Sequence, residues 1–290
     1  MSASGPRWPC RLSLALASQV GHQIGSFVTD MSAATGLIRW GTECVRTGPW
    51  RTDASVAFVS PVTDAPPPSG EFVRRCLGLL GERGFHSVVT GALSPEEQRG
   101  FLEAGFTVHE KLHLLILDKA VELPPLPPRP KVRRVGWLRR ARALEVDAMA
   151  FSAFWRFDRA GLREAVAATP ESRFRVALGK RGAVLGYAIS GAAAGRGFVQ
   201  RLAVTPAAQG HGVGKKLLLD GLYWLRRVGT FQVAVNTQMG NEAALSLYRS
   251  VGFREDPRGL CVLSTRLDGM GVASVSLGLE PGEGLKGGAL

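Results

Sequence analysis

Long apolar runs and paired cysteines are both missing from this 290-residue chain. No apolar run approaches the roughly 20 residues that a membrane-spanning helix needs, so the sequence indicates no membrane span. Residues 11–18 (RLSLALAS) faintly resemble a signal sequence, but their apolar part is too short. Cys10, Cys44, Cys76 and Cys261 show no paired spacing, which favours a reducing compartment over a disulfide framework. We therefore expect a cytoplasmic protein.

The positive charge is confined to the second half of the chain. Residues 1–128 contain 11 basic and 12 acidic side chains, a net charge of −1, whereas residues 129–290 contain 25 and 12, a net charge of +13. Such a field suits a nucleic acid, an acidic macromolecule or a polyanionic small molecule. No nucleic-acid-binding motif accompanies it, which disfavours nucleic acid. The basic cluster at 129–142 is interpreted as a solvated rim or substrate approach. Abundant arginine, alanine and glycine are typical of proteins from GC-rich bacteria.

A proline-rich segment divides the chain. Residues 123–130 (LPPLPPRP) contain five prolines in eight positions, so they are expected to be extended and unable to enter a helix or a central strand. We predict one domain at 31–122 and another at 131–268, joined by this linker. Residues 1–30 are expected to be a disordered extension, either dispensable or the product of a misplaced start. The glycine-rich tail at 269–290 is also expected to be disordered.

The stretch 209–216, QGHGVGKK, suggests a phosphate-binding loop, because closely spaced glycines precede two lysines. A nucleotide P-loop is disfavoured, since Gln209 stands where its first glycine belongs and Lys216 replaces its hydroxyl residue. A dinucleotide-binding turn is disfavoured as well, because Lys215 occupies the position of its third glycine. A different anion-binding loop is needed.

Periodicity around this loop predicts an α/β unit. Strands are expected at 133–135, 174–178, 184–190, 198–204, 231–235 and 261–267. Helices are expected at 137–151, 213–228 and 241–250. The loop then lies at the N-terminus of the helix at 213–228, where free N–H groups and the helix dipole favour a bound anion.

Two motifs in this unit resemble those of the GNAT acetyltransferase superfamily. The segment 202–214 (LAVTPAAQGHGVG) is similar to the acyl-coenzyme A signature, with Gln209, Gly212 and Gly214 at its core positions. The segment 241–253 (NEAALSLYRSVGF) is similar to the pattern N-x-x-A-x-x-L-Y-x-x-x-G-F. The motifs also resemble those of ribosomal-protein alanine N-acetyltransferases. The resemblance extends over about 129–268.

The resemblance implies roles for particular residues. The fourth and fifth strands of such a unit part, and pantetheine lies between them, held by the backbone of Leu202, Ala203 and Val204. Asn241 matches a pantetheine contact, and Tyr248 matches the general acid that protonates the departing thiolate. The pyrophosphate would be wrapped by backbone N–H groups, with added charge from a lysine, at Gln209, Gly210, His211, Gly212, Val213, Gly214 and Lys215.

One family feature is missing. A glutamate base often stands on the fourth or fifth strand, at places that correspond to Phe198 and Asn236, and neither side chain can take a proton. Either ordered waters relay the proton or the acceptor amine has a low pKa. A lysine amine is only about 0.1% neutral at pH 7.4, against about 30% for an α-amine. We therefore expect an α-amine or an amino sugar as the acceptor, in preference to lysine.

The first half of the chain echoes the second at a shift of 145 to 147 residues. Residues 56–61 lie opposite 200–206, and residues 94–106 lie opposite 241–253. The chemical residues are lost: prolines occupy the loop at 64–70, Ser94 replaces Asn241 and Phe101 replaces Tyr248. We predict an α/β fold of two tandem GNAT-like units, with a mixed central sheet, flanking helices and a truncated or degenerate first unit. This layout resembles that of mycothiol synthases.

The pattern H-E-x-x-H at 109–113 spells a zinc-protease motif, which works only on a helix. The echo places it on a strand, so we expect no metal site. The sequence thus predicts an enzyme that moves an acetyl group from acetyl-coenzyme A, its co-substrate, directly to a primary amine. The alternative is a non-catalytic acyl-coenzyme A-binding regulatory protein. The acceptor, the general base and the oligomeric state remain open.

Overall fold

The computed structural model describes residues 36–51, 53–62 and 65–267. The extension expected at 1–30 and the tail expected at 269–290 lie outside the described residues. The described chain contains six α-helices: α1 (Gly70–Glu82), α2 (Pro95–Glu103), α3 (Trp137–Ala150), α4 (Arg159–Ala167), α5 (Val213–Arg227) and α6 (Glu242–Arg249). Its eleven strands are β1 (Gly36–Trp40), β2 (Glu43–Trp50), β3 (Asp53–Pro61), β4 (Ser87–Thr90), β5 (Thr107–Asp118), β6 (Lys131–Arg134), β7 (Glu171–Leu178), β8 (Val184–Ala193), β9 (Arg196–Val204), β10 (Gln232–Gln238) and β11 (Arg254–Arg266).

All eleven strands form one sheet, in the order β1-β2-β3-β4-β11-β5-β10-β9-β8-β7-β6. The pairs β3–β4 and β9–β10 are parallel, and the other neighbouring pairs are antiparallel. The predicted mixed α/β architecture is confirmed. No helix of the described chain combines the length and the apolar character that crossing a membrane requires.

The two halves of the chain exchange their closing strands. Strand β5 lies between β10 and β11, and β11 in turn lies between β5 and β4. Leu117 of β5 pairs with Val233, and Ser264 of β11 pairs with Val89. An edge strand presents unpaired N–H and C=O groups, and this exchange pairs them for both units. The two predicted units therefore share one sheet, and the division at 123–130 stays a sequence-based interpretation.

The segment 123–130 contains no helix or strand, but it is fixed by contacts with the second unit. Leu123 is buried in the core of the second unit. The Tyr223 hydroxyl donates to the Pro124 carbonyl at 3.1 Å, and the Lys216 ammonium donates to the Pro127 carbonyl. The segment therefore lies along α5 as a fixed strap.

The glycine loop is held by helix α5, which begins where the sequence predicts. Its apolar stripe (Leu218, Leu219, Leu222 and Leu225) is fully buried against Val233 and the other core residues of β10. Each such leucine contributes about 2 kcal/mol of apolar transfer free energy. Helices α3 and α4 cover the opposite face of β7, β8 and β9. Both faces of the central strands are thereby fixed.

Candidate active site

Strands β9 and β10 pair over a short distance and then part. Their ladder joins Arg196 to Gln232 and ends at Phe198 and Ala234, although β9 continues to Val204 and β10 to Gln238. A register shift against β8 leaves Gln200 outside the ladder, and a bulge of this kind bends a strand. The predicted parting of the fourth and fifth strands is therefore present.

The predicted pantetheine residues lie on the parted segment of β9. Leu202, Ala203 and Val204 pair with Ala188, Tyr187 and Gly186 of β8. Within the described chain, no strand pairs with their other edge, which faces the gap, because the ladder with β10 ends at Phe198. This edge offers free backbone N–H and C=O groups to an extended ligand.

The gap leads to the N-terminus of α5. Gly212 caps the helix with φ +75°, Gly210 precedes it with φ +73°, and no side chain caps the first turn. The first N–H groups of a helix have no acceptor within the helix. A Cβ added at either glycine would meet no heavy atom within 4 Å. The loop therefore presents open space lined by N–H groups at the positive end of a helix, as an anion requires.

The side chains of the loop have distinct partners. His211 Nδ1 lies 2.7 Å from the Gln209 carbonyl, and Gln209 Nε2 donates to the Val204 carbonyl at 3.4 Å. Val213 is buried and Lys215 is half-buried. A Cβ added at Gly214 would lie 3.2 Å from the side chain of Leu247. Lys216, the second lysine of the stretch, is 8% exposed, and its ammonium donates to the Pro127 carbonyl of the strap. Lys215 is the lysine that remains beside the loop.

Helix α6 carries the two residues of the second signature. Asn241 caps this helix, because its Oδ1 accepts from the Ala244 N–H at 3.1 Å. Tyr248 is 5% exposed and packs against Phe253, with ring centroids 5.6 Å apart. Burial raises the pKa of Tyr248 above its ordinary value, so the phenol stays protonated and can donate. Both residues have structural roles, and the roles that the family implies remain predictions.

A buried polar cluster behind β9 was not identified from the sequence. Asp147 of α3 is fully buried and accepts from Arg201 Nε at 2.8 Å and Nη2 at 2.9 Å, and also from the Tyr187 hydroxyl. Arg201 Nη2 also donates to the Trp155 carbonyl at 2.7 Å. The bond holds the loop between α3 and α4 over β9. A lone arginine inside an apolar strand pattern was the available signal.

Arg51, from the turn between β2 and β3, holds the same loop. Its Nη1 donates to the carbonyls of Phe154 at 2.9 Å and Arg156 at 3.2 Å. Burial lowers the pKa of Arg51 to about 9, with a further contribution from the nearby Arg201 cation. The first unit thus fixes a loop of the second.

The H-E-x-x-H pattern lies on strand β5, as predicted. The His109 ring packs against Phe154 with centroids 4.5 Å apart, whereas His113 Nδ1 lies 3.1 Å from Glu255 Oε2. Glu110, which lies between the two histidines in the sequence, accepts hydrogen bonds from two donors of the second unit. Glu110 Oε2 accepts from Trp155 Nε1 and Oε1 accepts from Gln238 Nε2, each at 2.7 Å. The structure therefore brings Glu110 to the end of β10, beside the gap.

The corresponding helix terminus of the first unit is already occupied. Helix α1 follows β3 as α5 follows β9, but Ser69 caps it through its Oγ and the Phe72 N–H at 3.2 Å. The Glu43 carboxylate accepts from both the backbone N–H and the hydroxyl of Ser69. Strand β4 stays paired with β3 from Ser87 to Thr90. An internal carboxylate thus fills the anion position of this unit.

Comparison with known proteins matches part of the chain to a family model. Residues 141–253 match the model of the acetyltransferase (GNAT) family. A tandem GNAT protein from the clavulanic acid biosynthesis pathway shares the fold, with a TM-score of 0.60 and 14% identity over 80% of this chain and 82% of that one. A GCN5-related N-acetyltransferase from Kribbella flavida has a TM-score of 0.55 and 15% identity over 80% and 89%.

Curated relatives match over a short segment. Mycothiol acetyltransferase of Renibacterium salmoninarum is 42% identical over 57 residues, which is 20% of this chain and 17% of that protein. N-alpha-acetyltransferase RimI of Mycobacterium tuberculosis is 46% identical over 56 residues, 19% of this chain and 34% of that protein. The aligned part thus spans between a sixth and a third of the length of these two relatives.

Proposed function

We propose that this chain, whose residues 141–253 form a domain of the GNAT family, transfers an acetyl group from acetyl-coenzyme A directly to a primary amine. The observation that carries the proposal is the path formed by the parted strands. The free edge of β9 runs from Val199 to Val204 and leads to the uncapped N-terminus of α5. A ligand with an extended arm and a pyrophosphate fits such a path.

The donor fits the residues present. Pantetheine is a linear amide that can add as a strand to the edge at Leu202, Ala203 and Val204. Its pyrophosphate would meet the N–H groups of the loop at 209–215, where the glycines leave open space. Coenzyme A carries about four negative charges, which suits the +13 charge of residues 129–290.

The chemistry assigned to the chain has two parts. N–H groups on the free edge of β9 would stabilise the negative charge that develops on the thioester oxygen. Tyr248, the residue that matches the family's general acid, would give its proton to the departing thiolate. Asn241, the cap of α6, would keep the role of a pantetheine contact through its amide group.

The acceptor is proposed as an α-amine of a protein or peptide, or as the amine of an amino sugar or another small molecule. A neutral amine must attack, and the fraction that is neutral at pH 7.4 depends on its pKa. The names of the relatives, mycothiol acetyltransferase and N-alpha-acetyltransferase, support testing both kinds first. The three described cysteines are free, which agrees with our proposal of a reducing cytoplasm.

A thiol-release assay tests this function. The full chain is incubated with acetyl-coenzyme A and a panel of peptides, free amines and amino-sugar thiols, and acetylated products are identified by mass. Turnover with any acceptor supports the transferase and rejects the regulatory alternative. Binding of acetyl-coenzyme A without transfer to any acceptor would contradict the transferase and favour the regulator.

A further inference from the structure

We propose that Glu110, contributed by the first unit, takes the proton from the acceptor amine in the active site of the second unit. The inference rests on the proposed acetyl transfer. It supplies a base at a place where the sequence offered none, since Phe198 and Asn236 stand at the two expected positions.

The position of Glu110 follows from the register of the strands. The β9–β10 ladder ends at Ala234, and Gln238 lies four residues farther along β10, on the parted segment. Successive side chains of a strand alternate between faces, so Ala234, Asn236 and Gln238 point to the same side. The Gln238 amide donates to Glu110 at 2.7 Å. The carboxylate therefore lies beside the gap at the level of its open part.

The face that carries Glu110 lies on the opposite side of the sheet from the glycine loop. Val233 and Val235 pack against the leucines of α5 and α6, on the side of the glycine loop. Ala234 instead packs against the same core cluster as Phe154 and Trp155, two residues of the loop between α3 and α4. Donor and acceptor would then enter the gap from opposite faces of the sheet, as direct transfer between them requires.

The Glu110 carboxylate is oriented and still has free capacity. Trp155 Nε1 donates to one oxygen and Gln238 Nε2 to the other, each at 2.7 Å, which fixes the plane of the group. A carboxylate has about four acceptor positions, so two remain for an amine. Glu110 is half-buried rather than sealed in the core. A second-unit strand and a second-unit loop thus hold a first-unit carboxylate.

The step balances without an added reactant. The neutral amine nitrogen forms the C–N bond as the C–S bond breaks, and the nitrogen loses one proton to Glu110. The sulfur leaves with the electron pair and takes one proton from Tyr248. Glu110 and Tyr248 then return to their starting states by moving one proton through solvent. Glu110 takes its proton from a nitrogen that is already attacking, so it does not change how much of the free amine is neutral. That fraction still depends on the pKa of the amine, and an α-amine is still expected in preference to lysine.

The test compares Glu110→Gln, Glu110→Asp and Glu110→Ala with the wild-type chain. With the best acceptor of the panel, Glu110→Gln should lower kcat by about 100-fold or more, as expected for a general base. Acetyl-coenzyme A affinity, measured by calorimetry, should change less than about threefold, because the loop at 209–215 is untouched. Glu110→Asp should retain more activity than Glu110→Gln. Added formate should restore part of the turnover of Glu110→Ala.

Glu255→Gln is the matched control, since Glu255 also bonds to a side chain of β5, His113, at 3.1 Å. It should stay within about twofold of wild type in kcat. A Glu110→Gln rate within about threefold of wild type, or a Glu110→Ala rate that formate leaves unchanged, would overturn the assignment and leave the transferase intact. A wild-type chain that binds acetyl-coenzyme A but acetylates nothing would overturn both.

Discussion

Gly212 allows the anion site to be tested apart from the fold. Its φ of +75° costs a non-glycine residue about 1–2 kcal/mol. An added Cβ would meet no heavy atom within 4 Å, so this backbone strain is the main cost to folding. For a chain of this size the melting temperature should fall by about 2–8 °C. Gly212→Trp should therefore still fold.

Binding should respond much more strongly than folding. A tryptophan at the helix cap would stand where the pyrophosphate approaches the N–H groups. Each hydrogen bond to a charged group is worth about 1.5–3 kcal/mol, so losing two of them costs about 3–6 kcal/mol. That corresponds to a rise in Kd of more than about 100-fold. Calorimetric titration with acetyl-coenzyme A measures both this Kd and the number of sites.

Gly229 gives the matched control at the other end of the same helix. It follows α5 with φ +84° and, like Gly212, has no heavy atom within 4 Å of an added Cβ. Gly229→Trp should lose similar stability and keep full binding. The wild type should bind one coenzyme A per chain, because Glu43 already fills the corresponding helix terminus of the first unit. Two sites per chain, wild-type affinity in Gly212→Trp, or lost affinity in Gly229→Trp would refute this reasoning.

Three further outcomes are expected. Tyr248→Phe should lower turnover by about 100-fold or more with little change in acetyl-coenzyme A affinity, because the ring packing is kept; an unchanged rate would show that Tyr248 only packs. Peptides with a free α-amine should be acetylated in preference to internal lysines, for which deprotonation at pH 7.4 costs about 4 kcal/mol; efficient lysine acetylation with inert α-amines would contradict this. The fragment 131–267 alone should lack a cooperative thermal transition, since β10 and β11 lose their shared partner β5, and co-expression of 36–122 should restore it; a stable, active fragment would be the opposite result.

Local patterns determined much of the second unit in advance. The period of 3.6 in α5 and the glycines before it depend on neighbours in sequence, so the predicted helix at 213–228 agrees with Val213–Arg227. The closing strand was predicted from 261 onward but begins at Arg254, because β5 pairs with its first half. Such a partner lies far away in sequence, and no local period reports it.

Side-chain partners were the least predictable part of the site. The positive charge of Lys216 would suit a phosphate ligand, but its ammonium donates to a carbonyl of the proline-rich strap. Glu110 lies in the H-E-x-x-H pattern, which we did not interpret as a metal site. Its partner Gln238 is 128 residues away in the sequence. Only the exchange of closing strands brings these two side chains together. The role of a charged residue therefore cannot be inferred from the sequence until its hydrogen-bond partners are known.

The exchange of strands also gives the first unit a role that does not depend on an anion site of its own. At the N-terminus of α1 the chain supplies Glu43, whereas at the N-terminus of α5 it supplies glycines and open space. What the first unit gives the second is strand β5, which pairs with both β10 and β11 and carries Glu110 to Gln238. If only the second unit binds coenzyme A, as we propose, β5 is still needed there, so selection on the second site is sufficient to retain the fold of the first.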